Sequence, residues 1–247
     1  MKKVSVLAVL FFVALIAQAQ TVDEILSKYY EATGGKDKWL ALQSIRMTGK
    51  GKVQGMDIPV FMTQKAPNKQ ILKLNVQGKE FVQMAFDGTT GWSTNFMSQK
   101  PEKMAAEDSE NLKQETQLQD SFINYKEKGY KAELEGKETI EGTECHKIKL
   151  TKKPVMVDGK AEENVSYYFF SVADNVPIMV RSYVKKGQAK GTAIDTFMSD
   201  YQEVNGLFMP YSITQKVNGQ TAFSMTADKI ETNIAVDDKE FAFPNEG

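Results

Sequence analysis

The sequence predicts a mainly β protein built on one large antiparallel sheet. From Ser44 onward apolar residues recur with a period of two, the spacing that sets one side of a strand against a core. Twelve such segments follow one another, separated by short stretches of turn chemistry. The turn signals include Asp158-Gly159, Asn205-Gly206 and Asn218-Gly219, dipeptides that accept the positive φ values of a tight hairpin. About a dozen strands are too many for one flat sheet, which curls into a barrel or half-barrel or splits in two.

The chain of 247 residues opens with the pattern of a leader. Lys2 and Lys3 precede an apolar run over Val4–Ala17, and Ala17-Gln18-Ala19 offers small residues at a cleavage site. This pattern predicts an export signal over residues 1–19, cleaved after Ala19, with the folded domain spanning 20–247. No Cys stands at the cleavage site for lipidation. No later segment is apolar over the ~20 residues that a membrane helix needs.

The mature chain then begins with a helix. Thr21 and Glu24 form a capping-box pattern, Val22, Ile25, Leu26, Tyr29 and Tyr30 make one apolar stripe, and Gly34-Gly35 ends it. A shorter helical turn carries Trp39, Leu40 and Leu42. Strands are expected over Ile45–Val53, Ile58–Lys65, Gln70–Val76, Phe81–Phe86 and Gly91–Ser93, a meander joined by Gly55-Met56-Asp57, Pro67-Asn68, Gly78-Lys79 and Asp87-Gly88. Residues 101–120 break the pattern and read as a surface helix or loosely held lid, with Met104, Leu112 and Leu118 as sparse apolar points. Strands resume over Lys131–Ile140, His146–Leu150, Ser166–Ser171, Pro177–Lys185, Ala193–Val204, Phe208–Lys216 and Ala222–Ile230.

Composition narrows the function. Without Lys2 and Lys3 the 31 basic residues become 29 against 32 acids, a mild negative balance that argues against a nucleic-acid partner. Cys145 and His146 are the single cysteine and histidine. Adjacent strand residues point to opposite faces, so they make a poor dyad; a half-buried thiol and an outward imidazole are expected. One His and one Cys cannot supply a zinc site, and no calcium or phosphate loop motif is present. The reading is non-enzymatic, with no cofactor and no metal. A hydrolase would require a close carboxylate pair or a cleft around His146.

Large flexible apolar side chains on alternating positions stand out instead. Leu72, Leu74 and Val76 share one face of their strand, as do Val82, Met84 and Phe86; Met209, Tyr211 and Ile213 share another, and Phe223 and Met225 a fourth. The mature chain keeps eleven of 12 methionines. Methionine lines surfaces that accept variable apolar partners, and it also serves as gap filler in an ordinary β core.

Several weak motifs occur in a telling order: Val22-Asp23-Glu24-Ile25-Leu26, Tyr30-Glu31-Ala32-Thr33-Gly34-Gly35-Lys36, Ile45-Arg46-Met47-Thr48-Gly49, Phe86-Asp87-Gly88 with Gly91-Trp92, Ser199-Asp200-Tyr201, Val204-Asn205-Gly206 with Pro210, and Phe241-Ala242-Phe243-Pro244. Across the mature chain they resemble the outer-membrane lipoprotein-sorting family of LolA-like periplasmic carriers. The resemblance implies an incomplete, strongly curved antiparallel barrel with helices packed on its concave side. It also implies a periplasmic protein, read as a monomer, that shields the acyl chains of a lipid or lipoprotein. The expected lining is Leu72, Leu74, Met84, Phe86, Trp92, Met209, Tyr211 and Phe223. Arg46 is the candidate for the arginine that holds the family's lid closed. The alternative is an envelope protein-interaction or stress-sensing module on the same scaffold, with envelope proteins as partners.

Overall fold

The computed structural model describes residues 20–53 and 56–244. The predicted leader and the tip of the first hairpin lie outside the described residues. Two helices come first, α1 (Val22–Ala32) and α2 (Lys36–Leu40). A meander follows: β1 (Ser44–Val53), β2 (Met56–Lys65), β3 (Lys69–Val76), β4 (Lys79–Phe86), β5 (Gly91–Thr94) and β6 (Pro101–Lys103). Helix α3 (Ala106–Glu115) precedes a second meander: β7 (Lys131–Ile140), β8 (Thr143–Val157), β9 (Lys160–Ser171), β10 (Pro177–Tyr183), β11 (Ala193–Val204), β12 (Leu207–Val217) and β13 (Gln220–Thr232).

All pairings are antiparallel, and β1 joins the meanders by pairing with β13. The order across the sheet runs from β6 to β1, then from β13 to β7, so β6 and β7 are its two edges. The sheet is thus an open, incomplete barrel of 13 strands. Twelve were expected; the additional β6 lies in the segment read as helix or lid. The chain must pass from one edge to the other through residues 104–130, and this connection is what covers the concave side.

Helix α1 is fixed at both ends. The Thr21 hydroxyl accepts from the Glu24 amide at 3.2 Å, and the Glu24 carboxylate accepts from the Thr21 amide at 2.8 Å, completing the capping box. At the far end Gly34 and Gly35 adopt φ near +104° and +103°. Gly34 lies against the turn between β11 and β12: a Cβ there would stand 2.0 Å from the Gly206 carbonyl oxygen. The Phe208 amide donates to the Thr33 carbonyl at 3.2 Å, tying α1 to the sheet.

The main core lies between α1 and the concave face. Ile25, Leu26, Tyr29 and Tyr30 of α1 pack with Met47, Leu74, Ile148, Phe170, Met209 and Ile230 from strands of both meanders. The convex face carries two smaller clusters. One sits under the C-terminal segment, where Ile71, Val82, Ala85 and Trp92 meet Val236 and Phe241. The other groups Ile140, Cys145, Phe169 and Met179. Cys145 and His146 do face opposite ways, but both are buried. The imidazole is not outward, because His146 pairs with Phe170 on the core side, and burial lowers its pKa.

Candidate functional site: the covered concavity

Period-two alternation puts every second strand residue on the concave side, except where a bulge resets it. Leu72 pairs with Met84 and Leu74 with Phe81, yet Lys73 pairs with Val82, so the ladder shifts between Leu72 and Lys73. The shift sends Val82 to the convex cluster while Met84 stays opposite Leu72. Val82, Met84 and Phe86 therefore do not share a face, contrary to simple alternation.

Most of the expected lining residues meet on the concave side. Leu74 and Met209 are buried in the main core, and Leu72, Tyr211 and Phe223 pack against it while remaining partly exposed. Met84 is half-buried beside Leu72. Phe86 is fully buried opposite Gly91, where Met104 and Leu112 close over the sheet; a Cβ on Gly91 would lie 2.7 Å from Leu112 and 2.8 Å from Met104.

Two expected residues lie elsewhere. Trp92 pairs with Ala85 on the convex side, donates from Nε1 to the Phe241 carbonyl at 2.9 Å and meets the Phe243 ring edge-on. It anchors the C-terminal segment and does not border the concavity. Arg46 also points to the convex face, where its guanidinium donates to both Glu240 oxygens at 3.0 and 3.1 Å. It straps the 3-10 turn Asp238–Glu240 to the sheet, on the side opposite the cover. Half-exposed ion pairs contribute little, so Arg46→Ala should cost only about 1 kcal/mol. A double-mutant cycle with Glu240→Ala by thermal unfolding should give a coupling of about 0.5–1 kcal/mol.

The cover is built from α1, α3 and the turns over 117–130. Helix α3 bridges two distant parts of the sheet. On the first meander the Gly91 amide donates to the Ser109 hydroxyl at 3.0 Å, and the Thr116 hydroxyl donates to the Asn68 carbonyl at 2.7 Å. On the second, Asn111 exchanges two hydrogen bonds with the Met156 backbone, at 2.7 and 2.9 Å. Glu107 accepts from the Asp158 and Gly159 amides at 2.9 and 2.8 Å. Residues 101–120 are thus a tied crossing, not a loose lid. Beyond α3, Phe122 packs edge-on against Tyr168 and Phe170, which sequence reasoning had left out of the site.

Asp120 is the polar pin of this cover. It accepts from the Tyr29 hydroxyl at 3.1 Å, the Tyr30 hydroxyl at 3.4 Å and the Phe122 amide at 2.7 Å. Burial pushes its carboxyl above the usual range, against the opposite pull of these donors and of Lys128. Burial and the nearby Asp120 charge raise both Tyr29 and Tyr30. A raised carboxyl pKa means the folded state holds its proton better than the unfolded chain. The contribution is full below the unfolded value of 3.8 and is lost as pH rises through the raised folded value. Asp120→Asn should therefore flatten the fall in stability over that window, read by thermal unfolding across pH. An unchanged profile would assign the slope to other groups.

At the seam between α1 and residues 122–127 runs a groove of about 450 Å³, walled by Leu26, Tyr30, Phe122 and Tyr125 and rimmed by Lys36 and Lys126. Tyr125 donates to Asp23 at 2.9 Å across this seam. Among the described residues no group of three or more His, Cys, Asp or Glu side chains could hold a metal ion, and no helix is long and apolar enough to cross a membrane.

An open antiparallel half-barrel whose apolar concavity is covered by an N-terminal helix and an edge-to-edge crossing defines one class of scaffold, the LolA-like fold. No protein-family profile matches the chain, and no curated protein does. Solved structures are similar in fold. A DUF1329 family protein from Desulfovibrio piger ATCC 29098 superposes with a TM-score of 0.56 at 11% identity, over 90% of this chain and 97% of that one. A LolA superfamily protein from Nitrosomonas europaea gives 0.54 at 13% identity, over 91% and 98%. A domain assigned by name to outer-membrane lipoprotein sorting, from Vibrio parahaemolyticus, gives 0.56 at 8% identity, over 88% and 94%. The chain thus has the fold that its sequence resemblance implied.

Proposed function

We propose that the protein is an exported, non-enzymatic carrier or binding protein that shields lipid or lipoprotein acyl chains against its concave face, in outer-membrane lipoprotein sorting. The observation that carries this reading is the state of Leu72, Tyr211 and Phe223. They lie on the inner face of the sheet, packed against the core, yet keep partly accessible surface. An acyl chain lying there gains ~0.8 kcal/mol per buried methylene, enough to offset separation of the cover. The structure is then the closed form. Opening separates α1 from residues 117–130 along the seam and costs the Asp120 hydrogen bonds. The name of the Vibrio protein and the shared fold support this role and a periplasmic location.

Native mass spectrometry of the protein purified from its own envelope, followed by lipid extraction, tests the reading. A bound mass that matches an acylated species is expected. An apo mass that takes up neither added fatty acid nor lipopeptide would sink the carrier role.

A specific observation favours a second reading, a protein-interaction module. In the turn between β5 and β6, Met97 is 95% exposed and Phe96, though its ring stacks on Phe81, is 55% exposed, an apolar tip on the surface.

A further inference from the structure

Three buried polar atoms find no hydrogen-bond partner among the described residues: Gln114 Oε1, Lys128 Nζ and Asn164 Nδ2. They come from three separate elements that meet at one end of the covered concavity. Asn164 lies on β9 opposite Lys152 of β8. One step along that ladder Leu150 faces Ser166, and Leu150 and Ile148 belong to the concave core. Alternation therefore points both Lys152 and Asn164 inward. Asn164 is only 7% exposed. Gln114 stands at the end of α3, and its Nε2 donates to the Pro154 carbonyl just past Lys152. Lys128 belongs to the crossing segment, close enough to Lys152 for the two charges to repel, and lines a groove with Asn68, Gln117 and Lys113, the last of these the chain neighbour of Gln114.

The charges around this place do not cancel. Lys128, Lys152 and Lys185 face Glu115 and Asp120, while Asp108 is taken by Lys186. Among the described residues Lys152 and Lys128 have no carboxylate within ion-pair distance, and burial lowers both. Glu115, at the exposed end of α3, is the carboxylate nearest Lys152, and the two charges attract without forming an ion pair. Buried donors left open are costly, the Lys128 ammonium above all, while Lys152 is half-buried beside it. An oxyanion would satisfy Lys152, Lys128 and the Asn164 amide together. Gln114 Oε1 needs a donor, which a hydroxyl beside the oxyanion would supply.

We infer that Lys128, Lys152, Asn164 and Gln114 form a headgroup site under α3 that takes a phosphate ester bearing a neighbouring hydroxyl, with the lipid's chains running from it along the concave face. This deepens the carrier reading and rests on it for the chains.

The test compares dipalmitoyl phosphatidylglycerol, dipalmitoylglycerol and inorganic phosphate by titration under native mass spectrometry. The wild type should prefer the anionic lipid by about tenfold or more, the worth of one charge-assisted hydrogen bond. Lys152→Gln should abolish that preference and leave dipalmitoylglycerol affinity unchanged, while Lys153→Gln, at an exposed neighbour, should keep it. Removing a half-buried charge should not unfold the chain, and thermal unfolding of Lys152→Gln checks this. Equal affinity for both lipids in the wild type, or a preference that survives Lys152→Gln, would overturn the headgroup site and leave the carrier role standing. If neither lipid binds, the carrier role fails. Phosphate alone then decides: binding lost in Lys152→Gln would assign the site to a free phosphate, and no binding would overturn it.

Discussion

Gly34→Ala should destabilise the protein by about 3 kcal/mol or more, the largest loss expected from deleting no interaction at all. Two costs add. The residue holds φ near +104°, a conformation that a side chain adopts only with ~1–3 kcal/mol of strain. The new Cβ would also sit 2.0 Å from the Gly206 carbonyl oxygen and 3.1 Å from the Leu207 Cα, so α1 and the β11–β12 turn must part. Parting them stretches the Phe208 amide bond to Thr33 and the Lys38 ammonium bond to the Gly206 carbonyl. Gly35 is the internal control. Its φ is near +103°, but nothing lies within 4 Å of a Cβ there, so Gly35→Ala should bear the strain alone. Thermal unfolding should show a fall of roughly 6–12 °C for Gly34→Ala and clearly less for Gly35→Ala. Equal falls would mean that close approach of helix and turn contributes nothing.

Placing a carboxylate on the concave face should abolish acyl-chain uptake with much less effect on folding. Leu72 and Phe223 lie on the inner face and are partly exposed, so a carboxylate from Leu72→Glu or Phe223→Glu keeps access to solvent in the free protein. Once a chain lies against them that access is lost, and an unpaired ionised group against hydrocarbon costs several kcal/mol. Binding of a fatty acid or lipopeptide should fall by about a hundredfold or more. Phe61→Glu is the matched control. Phe61 is large, apolar and 40% exposed, but it lies on the convex face beside Arg46 and Lys73. Uptake that survives both inner substitutions, or falls equally with Phe61→Glu, would move the ligand away from the concavity.

These contrasts mark how far local reasoning reaches. The hairpins at 158–159, 205–206 and 218–219 form where their dipeptides stand, each with positive φ at both residues. The helix over Val22–Ala32 forms where its stripe and capping box require. Ala193–Val204 and Lys131–Ile140 are strands with the bounds that period two implies. Strand β8, by contrast, continues past Leu150 to Val157, because its partner β9 holds the polar stretch Thr151–Pro154 through a register shift. That extension carries Lys152 into the interior, and no local signal announces it.

Strand periods, turns, the opening helix and the alternating apolar positions are legible in local spacing, because each depends on residues within a few positions of one another. Which face each side chain meets is set by tertiary packing. The bulge in β4 separates Val82 from Met84, and the pairing of β5 with β4 turns Trp92 outward; both depend on register with a neighbouring strand. The same holds for Arg46, whose partner Glu240 is 194 residues away, and for Asp120, whose partners lie on a helix 90 and 91 residues earlier. Contacts at such separations are set by how the sheet curls and where the edge-to-edge crossing lands. That outcome belongs to the packing of the whole chain and leaves no trace in local spacing.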